Sequence, residues 1–337
     1  MLCIINRTLN EGISPPAFLL PREVTFHPSD SQAQQQVYFC NWDIPSNKVT
    51  EIGSEVFFDE MISSAYEEVL FYIHGTLTPP EGGLDTAKRF QELFDQEFPE
   101  SVEVIPWLWA THPDGNPLEK YFDDKVTAEA SGIAFARALL LLEDYKKKFL
   151  QDHPQSWLKK VNIFAYSMGN RVFRATVRDL RNIFDIDEIP FLFKQVFLCA
   201  ADIPNESLHV DDNRGGQLIP YTCDWVICYY ARDDIPLIAS GVINGLKSRM
   251  LGLTGVEDIS QTLDNVFQAD CSSFNGDFDL TGHGYFLSKD GDISPVFYHV
   301  FQAIANNNVP TGNQDVGDGN IVLPLLSTSR FQVNKIS

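Results

Sequence analysis

The residue types best suited to chemistry occur in the order Ser167, Asp234, His283. A serine hydroxyl is a weak nucleophile until a neighbouring base takes its proton, and histidine serves as that base when a carboxylate fixes its tautomer. Ser167 has the local sequence for the part. It ends the apolar run Val161-Asn162-Ile163-Phe164-Ala165-Tyr166 and has small residues two before and two after it, Ala165 and Gly169. A strand that turns sharply into a helix at such a serine forms a nucleophile elbow, and the turn is too tight for larger neighbours. The Met168 amide then faces the space above the hydroxyl at a helix N-terminus, where the peptide dipoles favour developing negative charge. That is half an oxyanion hole. A serine capping a surface helix would have a similar local sequence, so the rest of the chain has to decide.

Ser, Asp, His is the order of α/β hydrolases. His283 stands between Gly282 and Gly284 on a loop from which its ring can reach a serine. Three aspartates compete for the acid. Asp234 follows the apolar run 225–230 and leads into Ile235-Pro236-Leu237, the position we favour. Asp233 would point the other way, and Asp202, after the run 195–199, is the substitute. The second oxyanion donor is expected after the apolar run 69–73, where Gly75 lets the backbone turn and brings the amide of Thr76 or Leu77 toward the same space. His74 is read as a brace for this loop rather than as a base.

Several elements must position these residues. Apolar runs at 69–73, 102–105, 161–165, 195–199, 225–230 and 266–269 read as buried strands, and residues 84–98, 124–149 and 168 onward have helical spacing. Trp107 and Trp109 could line a pocket, but a pair at a strand end is expected in the core. Residues 37–40 and 55–58 are expected to be two antiparallel edge strands, and residues 8–36 loop. Residues 241–262 suit packed surface helices, with a small lid as the alternative. Ser294 and Pro295 open a final helix as N-cap and N1. Residues 307–320 are expected to be mobile, and 321–326 to add an edge strand or meet a partner. The fold class is therefore α/β, a mostly parallel sheet with helices on both faces and an antiparallel N-terminal edge. We expect a loop-rich segment at 1–36, one catalytic domain at 37–306 and a tail at 307–337.

Composition excludes several functions. The 337 residues include 46 acidic and 25 basic side chains, a net charge of −21, which opposes binding to nucleic acid or anionic lipid. The six cysteines lack metal-ligand spacing and sit largely in apolar runs, so neither a metal, a cofactor nor a disulfide framework is implied. No segment approaches the ~20 apolar residues of a membrane span. A cytoplasmic protein without stable membrane insertion is expected, and oligomeric state is left open.

The combined pattern Phe71-Tyr72-Ile73-His74-Gly75, Trp107 and Trp109, Tyr121-x-x-Asp124, Tyr166-Ser167-Met168-Gly169-Asn170-Arg171-Val172, Ala201-Asp202, residues 229–237 and His283-Gly284-Tyr285-Phe286 resembles the α/β-hydrolase group called domain of unknown function 900. The resemblance covers about residues 37 to 287, and Tyr166 stands where members often carry histidine. It implies an α/β-hydrolase fold and no particular substrate. The function expected is a serine hydrolase cleaving a small acyl ester, thioester or amide. Ser167 attacks, His283 moves the proton, Asp234 orients it, Met168 and Thr76 hold the oxyanion, and His74, Gly75 and Asp202 support them. An acyltransferase using the same residues and a non-catalytic interaction protein on a hydrolase scaffold are the alternatives.

Overall fold

The computed structural model describes residues 1–27, 33, 35–112, 116–154, 159–184, 189–245, 249–309, 319–321 and 323. In chain order the strands are β1 (Leu2–Ile5), β2 (Arg22–Val24), β3 (Tyr38–Asp43), β4 (Lys48–Glu51), β5 (Glu68–Ile73), β6 (Val102–Leu108), β7 (Lys160–Tyr166), β8 (Phe193–Cys199), β9 (Cys223–Tyr230), β10 (Val266–Asp270), β11 (Ser288–Lys289), β12 (Asp292–Ile293) and β13 (Asn320–Ile321). Among the described residues eleven of them form one sheet in the order β13-β10-β9-β8-β7-β5-β6-β1-β3-β4-β2. β11 and β12 form a separate two-stranded ribbon. Pairing is parallel from β13 to β1 and antiparallel through β3, β4 and β2.

The helices are α1 (Ser54–Ser63), α2 (Pro80–Glu97), α3 (Pro117–Asp152), α4 (Gly169–Asn182), α5 (Ile235–Ile243), α6 (Leu251–Thr254), α7 (Asn275–Phe278) and α8 (Pro295–Asn306). The central strands are apolar on both faces because both faces are covered. On one side Phe57 of α1, Phe135 of α3 and Val172 of α4 share a core with Phe71, Ile105 and Ile163. On the other, Phe90 of α2 and Val300 of α8 pack with Tyr72, Phe164 and Phe197. Trp107 and Trp109 are core residues: Trp107 stacks on Phe135 at 4.6 Å and Trp109 on His74 at 5.5 Å.

Register decides where the chemistry gathers. Ile73 is level with Ala165 and Trp107, Tyr166 with Cys199, and Cys199 with Tyr229. Four strands thus end at one edge, and the loops at 74–77, 167, 200–202 and 231–234 all emerge there. This is the carboxyl edge, where open α/β sheets hold their ligands.

Three expectations need correction. Residues 55–58 lie in α1, not in a strand. Gly53, at φ +80°, turns the chain, and Phe57, Phe58 and Met61 then bury on one helical face. Four apolar or acidic residues were too short a run to distinguish the two periods. The N-terminal segment is also less loop-like than expected, because β1 lies inside the sheet between β6 and β3, and β2 pairs with β4. Buried Arg7 extends that join, donating to the carbonyls of Trp109 and Thr111, each at 3.3 Å. Within 241–262, α6 is wedged among strand ends: the Gly252 amide donates to Ala201 O at 2.9 Å, and Gly252 O accepts from the Ala231 amide at 3.0 Å. The last helix begins at Ser294, whose hydroxyl accepts from the Val296 amide. Most of the segment expected to be mobile, 310–318, lies outside the described residues. Of 321–326, Ile321 pairs with Ala269 at the sheet edge, and Leu323 alone of the rest is described.

α3 and α4 cross closely at Gly132, where an added β-carbon would lie 2.7 Å from the carbonyl carbon and β-carbon of Ala175. Gly132→Val should push α4 away from its seat and cost about 1–3 kcal/mol. The check is a lower urea midpoint at unchanged m-value.

Candidate active site

Ser167 occupies the sharp turn between β7 and α4, at φ +52°. This is costly backbone for a residue with a side chain, and its surroundings hold it there. The Ser167 amide donates to Cys199 O (3.0 Å), and its carbonyl accepts from the Asp202 amide (3.1 Å). Asn170 clamps the turn from the helix side, its Nδ2 donating to the carbonyls of Ala165 (2.9 Å) and Ser167 (3.0 Å). The small neighbours have concrete reasons. A β-carbon at Gly169 would lie 2.4 Å from Ile73 O and 2.6 Å from His74 O, and one at Gly75 would lie 3.0 Å from the Ser167 β-carbon.

His283 Nε2 lies 2.9 Å from Ser167 Oγ, and His283 Nδ1 lies 2.6 Å from Asp234 Oδ2. With Asp234 ionised, Nδ1 carries the proton and Nε2 is left to accept from the serine. Asp234 is fully buried and caps α5, its Oδ1 accepting from the Leu237 amide at 2.9 Å. Burial pushes its carboxyl up, opposed by the hydrogen bond and charge of His283. The histidine loop is tied down by Asp279, whose Oδ2 accepts from the amides of His283 (2.9 Å) and Gly284 (2.8 Å) and from the Thr281 hydroxyl (2.6 Å). Burial raises the Asp279 carboxyl, but those donors outweigh it and hold it at about 2. The Tyr166 ring lies 5.1 Å from the His283 ring and supports it from the strand side.

Of the other aspartates, Asp233 is exposed and takes a hydrogen bond from Asn275 at 2.8 Å. Asp202 is buried in a separate group: Ser240 donates to it at 2.5 Å and Tyr121 at 3.0 Å, while Asn244 donates to the Tyr121 hydroxyl at 2.7 Å. Burial and the Asp202 charge push the Tyr121 phenol up to about 12.

The loop after β5 faces Ser167. Asp124 pins it: this buried carboxylate accepts from the Leu77 amide (3.0 Å), the Thr76 hydroxyl, the His112 amide (2.8 Å) and His112 Nδ1 (2.9 Å). Leu77 is held at φ +57°. Among the described residues the Thr76 and Met168 amides donate to no acceptor; Met168 follows Ser167 directly, and Thr76 follows Gly75, the residue of this loop that packs on Ser167. His74 sits behind the loop, its Nδ1 donating to Gly75 O at 2.9 Å and its carbonyl accepting from Trp109 Nε1 at 2.7 Å.

Asn170, Asp124 and Asp279 were not assigned roles from the sequence. Asn170 lies in the elbow motif and Asp124 in the Tyr121-x-x-Asp124 pair, so both carried a signal. For Asp279 the only signal was its place four residues before His283.

The strand order, the elbow and the loops at the carboxyl edge define an α/β hydrolase. The family described as alpha/beta hydrolase of unknown function (DUF900) matches residues 51–293, and the chain belongs to it. No curated protein matches the chain. Family membership supports a hydrolase-type function. No helix among the described residues is long and apolar enough to cross a membrane.

Burial holds the His74 imidazole well down, to about 3. In the unfolded chain the same ring takes a proton near its ordinary value of ~6.5. Between those values the unfolded state binds the extra proton, so stability falls as pH drops through this window. Lowering pH from 7 to 5 should cost the wild type about 2 kcal/mol through His74. Urea unfolding of His74→Gln at both pH values should show that part of the loss removed.

Proposed function

We propose that the chain is a serine hydrolase that cleaves an ester, thioester or amide through an acyl-enzyme. The observation that carries this reading is the unbroken run of contacts from Ser167 Oγ through His283 to Asp234, at 2.9 and 2.6 Å. Ser167 Oγ attacks the acyl carbon while its proton passes to His283 Nε2, and Asp234 stabilises the imidazolium that forms. The carbonyl oxygen becomes an oxyanion, received by the amides of Met168 and Thr76. Met168 stands at the start of a fourteen-residue helix, so its amide adds the helix dipole to a hydrogen bond. Collapse of the tetrahedral species breaks the bond to the leaving group, which takes the proton from His283. Water then attacks the acyl-enzyme by the same route, with His283 as base, and returns Ser167 and the free acid.

In this reading Asp202 is a positioning group. Its carboxylate is taken up by Tyr121 and Ser240, and its amide holds the Ser167 carbonyl. His74 and Gly75 likewise support the oxyanion loop, His74 by bracing it and Gly75 by letting it approach the serine.

Ser167→Ala should abolish turnover and fluorophosphonate labelling without loss of fold, checked by activity, labelling and circular dichroism. Asp234→Asn should lower kcat about 10⁴-fold by leaving His283 in the wrong tautomer, and Asp202→Asn should cost far less. The reverse ranking would move the acid to Asp202. Gly75→Val should lower kcat by about two to three orders of magnitude with KM changed much less, since one oxyanion donor is worth that much. Steady-state kinetics on a small activated ester reads both.

A further inference from the structure

We infer that the apolar apron beside Ser167 docks the protein onto a zwitterionic lipid surface, specifically phosphatidylcholine. The apron is built on α5, whose amphipathic pattern is inverted. Its buried side holds Leu237 and Ser240, the latter bonded to Asp202, while Ile235, Ile238 and Val242 face solvent. None of its nine residues is ionisable. In a chain with 21% charged residues such a helix face is unusual, and exposed patches of this kind mark contact surfaces.

Two neighbours extend it. On α3, Phe122 and Val126 point to solvent one turn apart, and α3 is fastened to α5 by Tyr121 to Ser240 (2.7 Å) and Asn244 to Tyr121 (2.7 Å). On the other side Leu280 belongs to the histidine loop, which is joined to α5 by the Ile235 amide donating to Thr281 O at 3.0 Å. Exposure of these six side chains runs from 45% for Phe122 and Ile238 to 87% for Leu280. The apron meets the candidate site at the N-terminal end of α5, where Asp234 caps the helix and Leu280 precedes His283 by three residues.

Two observations select a lipid surface. The α5 face is branched aliphatic, without the Trp, Tyr and Arg anchors typical of protein hot spots, and suits shallow insertion at a headgroup boundary. Charge selects the headgroup. Lys125 reaches between the two helices, its ammonium bonded to Asn244 and 5.8 Å from the Phe122 ring centre, where it can meet a phosphate. Exposed Asp233 and the Asp279 carboxylate border the apron and oppose a net negative surface.

Docking itself stands apart from catalysis. The corollary that the substrate is an acyl ester embedded in that surface rests on the serine-hydrolase reading above. The test is flotation of the full chain with phosphatidylcholine vesicles, with and without added phosphatidylserine, for the wild type and an Ile238→Glu, Val242→Glu double variant. Turnover of a water-soluble short-chain ester and of a long-chain ester carried in the vesicles is measured alongside. The wild type should float with phosphatidylcholine alone. In the double variant the lipid concentration for half-binding should rise at least tenfold and vesicle-ester turnover should fall in step, with soluble-ester turnover within twofold of wild type. Absent wild-type flotation, equal flotation of the variant, or binding that requires phosphatidylserine would overturn the docking proposal. Lipid binding lost in the variant while neither ester is cleaved by the wild type would sink the hydrolase reading and leave docking standing. Cleavage of the soluble ester without vesicle binding would do the opposite.

Discussion

No atom larger than hydrogen fits between residue 169 and the end of β5. A β-carbon there would overlap two carbonyl oxygens, those of Ile73 and His74. This close approach sets the depth at which α4 begins, and with it the left-handed turn at Ser167. The turn in turn lifts the hydroxyl clear of the sheet toward His283. Both sides of the approach are fixed by register: β5 pairs with β7 over the whole of its own length, ending with Ile73 beside Ala165. A slip in that pairing would move the serine relative to the loop that faces it. The elbow and the loop after β5 are one steric unit rather than two motifs.

Around that unit the polar residues are arranged as separate buried carboxylates, each saturated by its own donors. Asp124 holds the loop after β5, Asp202 joins α3 to α5, and Asp234 meets the histidine. A buried carboxylate without donors would be expensive, so donors and acids have to come together. Separation also keeps their tasks distinct. Of these three carboxylates, Asp234 is the one bonded to the His283 ring, and that hydrogen bond orients the ring that touches the serine.

Much of this was legible in the sequence where the signal was local. The elbow, the apolar parallel strands and the Ser294-Pro295 helix start depend on neighbours a few residues apart, and they were read at nearly the right positions. Asp234 could be preferred to Asp202 because chain order and the Ile235-Pro236-Leu237 continuation are also local. The surroundings of Asp202 could not be read, since Tyr121 and Ser240 reach it from two elements distant in sequence, α3 and α5. β1 was missed for a similar reason: four apolar residues define a strand only once β3 and β6 lie on either side. The 55–58 error shows the converse, a short run with two aromatic residues whose periodicity was too brief to separate strand from helix.

The place of β1 has a consequence for the order in which the chain is made. Residues 2 to 51 supply β1 to β4, which pair with one another as a small antiparallel sheet. All four strands exist before β6 has left the ribosome, and N-terminal units generally fold first during synthesis. Until β6 arrives, β1 presents an open row of backbone donors and acceptors, the kind of edge that recruits foreign strands. The join between β1 and β6, reinforced by Arg7, is therefore a closure made late by residues made early. Crowding of nascent chains, rather than the stability of the finished fold, is the condition that tests it.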